Sequence, residues 1–389
     1  MKRDMKAWKE DLIKAKAKCA LPILSFPCVQ LMGVSVEQLS RDPALQARGM
    51  QLVAERTPAC AAVSMMVLSV EAEAFGATAR FMPGEVPTVK DALVTSPERL
   101  VYPEAGLTKR DLAEYLEAVD EALLRRSSRR PLAVVRCPEG VAGQCFYQKH
   151  PSESFTPDLP RLTIEEKEGP DEYFYVETVA HLVGLAQLGV VELHVWGSRV
   201  DDLERPDLLV FDLDPSPGVP FEVTKRTARR LRERLDALGL APYLRATGGK
   251  GLHVVAPLVP QAGWDEVKRF AEAVAGSLAT EDPEHLTTAL PKERREGKVF
   301  VDYLRNGRGA TAIVDYSPRA RPGAPVAVPL RWDELGRLPS SAAYDVRKVR
   351  RRLASLGDDP WAGFEASAVP LATALAAGGP ELAAAIGAP

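Results

Sequence analysis

The chain has 389 residues, enough for two domains or for one large domain with an appendage. Its apolar (46%) and charged (26%) fractions are those of a globular protein. A formal net charge of −3 excludes a whole-molecule field that would pull it onto nucleic acid, so such binding falls to local basic clusters. No apolar run approaches a membrane span.

In chain order, Met1–Lys18 mixes both signs of charge, and the apolar Leu21–Leu24 that follows is interrupted at Pro22 and closed by Pro27. A signal peptide needs an unbroken apolar core and a small-residue cleavage site, so a cytoplasmic protein is expected. Five cysteines (Cys19, Cys28, Cys60, Cys137, Cys145) show neither metal-ligand pairing nor an even framework, and reduced, packed thiols are expected. Asp4–Ala17 and Asp42–Arg56 read as helices, the second with apolar Leu45, Met50, Leu52 and Val53; Ala61–Val70 reads as a buried strand. Glu71–Phe75 with Gly76 reads as a short helix and its stop. The segments Phe26–Gly33, Leu68–Ala77 and Glu85–Val89 resemble the first part of the uroporphyrinogen decarboxylase and corrinoid methyltransferase family, whose members are closed (β/α) barrels. About a quarter of such a barrel is present, with Val67 where an acidic residue is expected and nothing standing in for the zinc ligands. A barrel closes only with all its strands, so residues 1–91 are expected to be an incomplete, TIM-barrel-like fragment without that chemistry.

From Ala92 the pattern changes and continues to the end. Leu107–Leu124 reads as a helix capped by Thr108. Pro131–Arg136, Leu208–Leu213, His253–Pro257 and Val299–Leu304 read as strands, and Glu177–Leu188 and Phe221–Leu238 as helices stopped by Gly189 and Gly239. Some spacings are of hairpin length, so the expected class is α+β with a mixed or antiparallel central sheet and flanking helices. Ala366–Pro389, Ala-rich with Gly379-Pro380, reads as a loose tail.

Three stretches carry the chemistry. Asp212 and Asp214, two apart at the end of an apolar strand, leave one face and repel unless cations neutralise them; Mg²⁺ or Mn²⁺ suits such oxygen ligands. A bare Asp-x-Asp also arises in turns. Thr247-Gly248-Gly249-Lys250-Gly251 lacks Walker A spacing, yet its glycines would let backbone N–H groups approach phosphate and Lys250 adds charge; a tight turn is the alternative. His253, taken alone, reads better as a satisfied core histidine on a strand. Asp302, amid Val299–Tyr303, is a costly buried carboxylate unless metal-bound or paired with Arg295 or Arg305. Together these parts are what a two-metal nucleotidyl transfer from a nucleoside triphosphate requires.

Pro103–Lys109, Val135–Gly140, Cys145–His150, Glu192–His194, Asp212–Pro215, Gly248–His253, Asp302–Asn306, Tyr316–Arg319 and Asp359–Trp361 occur in the order found in the primase-like polymerase domain of bacterial ligase D, of the archaeo-eukaryotic primase superfamily. The resemblance runs from about Leu93 to Leu371, within a second domain of residues 92–389. It implies a primase-polymerase fold in which Asp212, Asp214 and Asp302 hold two Mn²⁺ or Mg²⁺ ions. It places Thr247, Lys250, His253, His194, Arg295, Arg305 and Arg319 on the nucleotide. Lys109 would hold a 5′-phosphate, Phe146 and Tyr147 would stack on template bases, and Arg136 would touch the template backbone. Ribonucleotide preference, activation by manganese, and work beside Ku and a separate ATP-dependent DNA ligase follow from the same resemblance. Thr247 replaces the usual serine and could crowd a phosphate; Asp315 replaces the usual proline and would set a negative charge near Arg319 and the triphosphate. Basic clusters at Arg125–Arg130 and Arg347–Arg352 read as solvated faces, with DNA contact by the C-terminal cluster as the alternative. The expected activity is template-directed extension and gap filling in end joining, against the alternatives of a non-catalytic end-binding scaffold or a methyltransferase relative.

Overall fold

The computed structural model describes residues 27–35, 38–39, 42–56, 79–80, 88–89 and 94–387 apart from 153 and 156–157. The readings of a helix over residues 4–17, a strand over 61–70 and a short helix over 71–75 lie outside the described residues. The chain divides into two compact units, Met1–Leu93 and Val94–Pro389. In the first, helix Pro43–Arg56 is capped by Asp42, whose side chain accepts from the N–H groups of Ala44 and Leu45. Leu39 and Val53 form a small cluster there with Met32, Val34 and Leu45 around them.

The second unit is built on two main sheets, with two-stranded pairs Leu100–Tyr102/Leu107–Thr108 and Arg161–Glu166/Gly169–Phe174 beside them. Its strands in the main sheets are β1 (Leu132–Arg136), β2 (Phe146–Gln148), β3 (Val190–Trp196), β4 (Leu208–Pro215), β5 (Tyr243–Ala246), β6 (Leu252–Pro257), β7 (Leu286–Thr287), β8 (Val299–Asp302), β9 (Thr311–Ile313) and β10 (Val328–Leu330). Its helices are α1 (Lys109–Ala118), α2 (Asp120–Ser127), α3 (Val179–Gln187), α4 (Phe221–Ala237), α5 (Trp264–Glu281), α6 (Val346–Ser355) and α7 (Leu371–Ala385). One sheet has six strands in the order β7-β8-β4-β6-β5-β10, all antiparallel except the β7–β8 pair; the other has four, β9-β3-β1-β2. The sheet is therefore mixed, as the spacings suggested.

Strand β4 explains the layering. Leu209, Phe211 and Leu213 are fully buried in the main core, against which α4 and α5 pack. The alternate residues leave the other face: Val210 joins Val255, Ala312, Trp361 and Phe364 in a second cluster, and Asp212 and Asp214 continue the same row. The apolar half of that face seals the sheet, and the polar half forms one wall of a cleft.

Several sequence expectations change. The helix read over Leu107–Leu124 keeps its Thr108 cap, a reciprocal box with Asp111, but breaks at Val119 into α1 and α2. There the Asp120 carboxylate accepts from the N–H of Glu121 and begins a new turn. The tail read as loose is helical: Leu371, Ala374 and Ile386 are buried, and Gly379, at φ +68°, marks the kink before Pro380. Cys137 and Cys145 are joined by a disulfide rather than free. They follow and precede the cross-strand partners Arg136 and Phe146, so the β1–β2 hairpin brings them face to face. The first basic cluster is largely taken up in ion pairs, whereas in the second Arg347, Lys348, Arg350 and Arg351 remain exposed and only Arg352 is drawn into a partly buried pair. Arg125 and Arg126 pair with Asp359, Arg129 with Asp201 and Glu177, Arg130 with Asp207, and Arg352 with Glu334. No helix among the described residues is long and apolar enough to cross a membrane.

Candidate active site

A row of side chains crosses the six-stranded sheet. Asp212 on β4 lies opposite His253 on β6 and opposite Asp302 on β8, and His253 lies opposite Arg245 on β5. Directly opposed residues of antiparallel strands project to the same side. Arg245, His253, Asp212 and Asp302 therefore share one face, and Asp214 joins them two residues further along β4. Asp302, distant in sequence from Asp212 and Asp214, thus comes to the same surface.

Their electrostatics call for positive charge. Arg305, in the short 3₁₀ turn after β8, places Nη2 3.2 Å from Asp212 Oδ2 and 3.3 Å from Asp302 Oδ2. Burial works to raise the Asp212 carboxyl, but His253, Arg305 and Arg319 hold it down at about 2. Asp214 and Asp302 go the other way: burial, reinforced by the Asp212 charge, pushes both up despite nearby cations. Among the described residues no three metal-ligating side chains converge on one point; the Arg305 guanidinium lies between two of the carboxylates. An all-oxygen donor set of mutually repelling carboxylates, only partly offset by one guanidinium, fits a divalent cation of the Mg²⁺ or Mn²⁺ kind.

The glycine loop abuts this row. Gly251 has no room for a side chain, because a Cβ there would lie 2.1 Å from the Leu213 carbonyl oxygen. Its absence lets the loop close onto β4 between the two aspartates. Gly248, at φ +67°, is likewise hemmed in by Val326. The Thr247 hydroxyl donates to the Gly251 carbonyl at 2.9 Å and receives the Gly249 N–H, so it braces the loop from within. Lys250 is exposed. The cleft, ≈ 290 Å³, is lined by Asp212, Asp214, Lys250, His253, Arg305 and Arg319 among others, with His194 and Ile313 entering from the four-stranded sheet.

The remaining predicted residues are placed unequally. Arg295 lies outside the cleft lining, flat over the Phe300 ring at 3.6 Å and donating to the Ala289 carbonyl. Phe300 is the cross-strand partner of Asp214, so the guanidinium still acts electrostatically on Asp214 and Asp302. Phe146 and Tyr147 are exposed on the edge strand β2, at 42% and 48%. Tyr147 shares a 2.6 Å hydrogen bond with Thr311 and meets the His194 ring edge-on. Arg136 lies 5.6 Å from the Phe146 ring and donates to Gln148. Lys109 is buried away from the cleft lining, donating to the Thr95 carbonyl at 3.0 Å, and burial lowers its pKa. Asp315 does not line the cleft: it is 1% exposed and accepts from Arg245 Nε at 2.6 Å and Arg126 at 3.3 Å.

Residue-by-residue reading missed Arg245, Arg321 and Glu192. Arg321 lines the cleft. Glu192 shares a face of β3 with His194 and accepts from its Nε2 at 2.9 Å; it also accepts from the Ala320 N–H and sits 3.1 Å from Arg319 Nε. The i, i+2 spacing of Glu192 and His194 on a strand was the available signal. Burial works to raise the Glu192 carboxyl, but His194, Arg319 and the Ala320 N–H bring it to about 2 from the usual 4.5. A carboxyl whose folded pKa is depressed stabilises fully above its unfolded value and loses that contribution as the pH falls toward the folded one. From the size of the shift the contribution is about 3 kcal/mol at neutral pH. Urea denaturation should therefore find Glu192→Gln destabilised at pH 7, with the gap to the parent narrowing steadily below pH 4.5. A gap independent of pH would refute this account.

Residues 108–361 match the LigD primase-polymerase domain family. The chain is 39% identical over 272 residues to the multifunctional non-homologous end joining protein LigD of Pseudomonas aeruginosa, covering 70% of this chain and 32% of that protein. It is 33% identical over 273 residues to the LigD non-homologous end joining DNA repair protein of Mycobacterium tuberculosis, covering 68% and 36%. The chain thus spans about a third of the length of these curated relatives. Among solved structures it is similar to the polymerase domain of Mycobacterium tuberculosis ligase D in complex with DNA, with a TM-score of 0.67 and 31% identity over 72% of this chain and 99% of that one. With its mixed sheet, its cross-strand carboxylates and these similarities over the same residues, the chain belongs to the LigD primase-polymerase domain family.

Proposed function

We propose that this chain transfers nucleotides from a nucleoside triphosphate to a DNA 3′ end, guided by a template strand, at breaks or short gaps bearing a 5′-phosphate. The observation that carries the reading is the register of Asp302 against Asp212, which sets three carboxylates on one face beside a loop that only glycine permits. Asp212, Asp214 and Asp302 would hold two Mn²⁺ or Mg²⁺ ions, which when bound would acidify a primer 3′-hydroxyl and neutralise charge on the triphosphate.

The chain's own residues bind and orient. Lys250, Arg305 and Arg319 supply positive charge around the cleft for the phosphates, beside a loop whose glycines permit close approach. His194, held by Glu192, and His253 contact the nucleotide from the two sheets. Arg295 adds charge at the rim. Phe146 and Tyr147 offer exposed ring faces to template bases, and Arg136 reaches the template backbone. Lys109 holds the 5′-phosphate after its Thr95 contact is exchanged. Ribonucleotides are the preferred substrates, and Ku and a separate ATP-dependent ligase are the partners of the pathway. The relative whose polymerase domain was solved with DNA supports the DNA-binding part of this reading.

The test is extension of a 5′-phosphorylated gapped duplex with Mn²⁺ and labelled ribo- or deoxyribonucleotides. Template-matched incorporation is expected. Phe146→Ala should weaken template discrimination and duplex binding by about 1–3 kcal/mol, the worth of one stacked base. Tight DNA binding with no incorporation under any metal would replace the enzyme with a scaffold.

A further inference from the structure

We infer that Arg245, held by Asp315, is a positioning residue that keeps the hydrogen of the His253 ring on Nε2, so that this nitrogen presents a hydrogen-bond donor to the cleft. The consequence for turnover rests on the nucleotidyl-transfer reading; the ring geometry does not.

Arg245 Nη1 lies 3.3 Å from His253 Nδ1. A guanidinium can only donate, so Nδ1 accepts and carries no hydrogen. The ring hydrogen is then on Nε2, which faces Asp212 at 3.5 Å and the cleft that His253 lines. Arg245 is held at two of its three nitrogens. Nε donates to Asp315 at 2.6 Å and Nη1 also donates to the Ile313 carbonyl at 2.8 Å. Asp315 is in turn shared with Arg126. The Trp361 ring lies 5.0 Å from the Arg245 guanidinium and 5.1 Å from that of Arg126, and its indole N–H donates to the Leu244 carbonyl. The Asp359-Pro360-Trp361 motif, which has no place among the nucleotide or metal residues, thereby acquires one: Asp359 pairs with Arg126 and Trp361 covers both guanidiniums. This buried unit stands behind His253 on the same sheet row, on the side away from Asp302. A second-line partner that sets the tautomer of a working histidine is a common device of polar sites.

The test uses the full chain with ¹⁵N-labelled histidine. Only five histidines are present, so His253→Gln assigns the His253 signals. In the parent, two-bond spectra should show the hydrogen on Nε2 and Nδ1 bare; in Arg245→Met the ring should become a tautomer mixture. Primer extension should fall about tenfold on Arg245→Met but less than about twofold when the same change is made in His253→Gln, as coupling within one network requires. Because Arg245→Met strands part of the Asp315 charge, Arg245→Met/Asp315→Leu removes both partners and is read in the same way. A hydrogen on Nδ1 in the parent, an unchanged tautomer in the variants, or equal losses in both backgrounds would overturn the inference. If no protein extends a primer, the transfer reading fails while the spectrum still decides the role of Arg245.

Discussion

Asp302→Asn should lose at least about a thousandfold in nucleotide incorporation, several kcal/mol of transition-state stabilisation, while the free protein becomes no less stable. The two halves of this prediction have one cause. Burial and the facing Asp212 charge push the Asp302 carboxyl up, so its ionised form is a cost to the folded chain. Asparagine keeps the oxygen that accepts the Leu304 N–H at 2.7 Å and removes the repulsion, and Arg305 retains Asp212 as its partner. A group with a raised folded pKa destabilises increasingly as the pH rises through that value, so the stability gain should be present at neutral pH and vanish in acid. Incorporation assays and urea denaturation at pH 7 on the same preparation check both. Activity within tenfold of the parent would remove Asp302 from the metal site, and a stability loss above about 1 kcal/mol would mean the carboxylate serves the fold.

Asp315→Ala should cost about 3–5 kcal/mol of folding stability, the range for breaking a buried ion pair by removing one partner. Asp315 is 1% exposed and is shared by Arg245 and Arg126, each 6–7% exposed. Its loss leaves two guanidiniums in a poorly hydrated pocket, of which Arg126 keeps Asp359 and Arg245 keeps only a carbonyl and His253. The midpoint of denaturant unfolding should drop with little change in slope. A loss below 1 kcal/mol would show that water reaches the pocket and screens the charges. The sequence expectation that this aspartate burdens the triphosphate is replaced by a structural role on the far end of the row.

How much was legible follows from the range of each signal. Apolar patterning and glycine stops located β4, β6, β8, α3 and α4 within a few residues, because period and capping are local properties. They failed where a local competitor or a tertiary contact decided. Asp120 restarted a helix that periodicity would have continued, and burial of Leu371 and Ala374 ordered a tail whose Gly-Pro composition argued for disorder. The cysteine pair was readable only with the β1–β2 register, which spacing alone does not specify.

For the site, the sequence by itself determined which groups exist: two carboxylates on one strand face, a third on another strand, and a loop with glycines where a side chain would collide. It also carried the ordered motifs that placed the chain in its family. The tertiary structure alone decided their alignment. Strand register is a long-range choice, and a slip of one residue would have sent Asp302 to the opposite side of the sheet from Asp212. The same register decided which arginines line the cleft and which, like Arg245 and Arg126, are buried against Asp315 to hold other side chains in place.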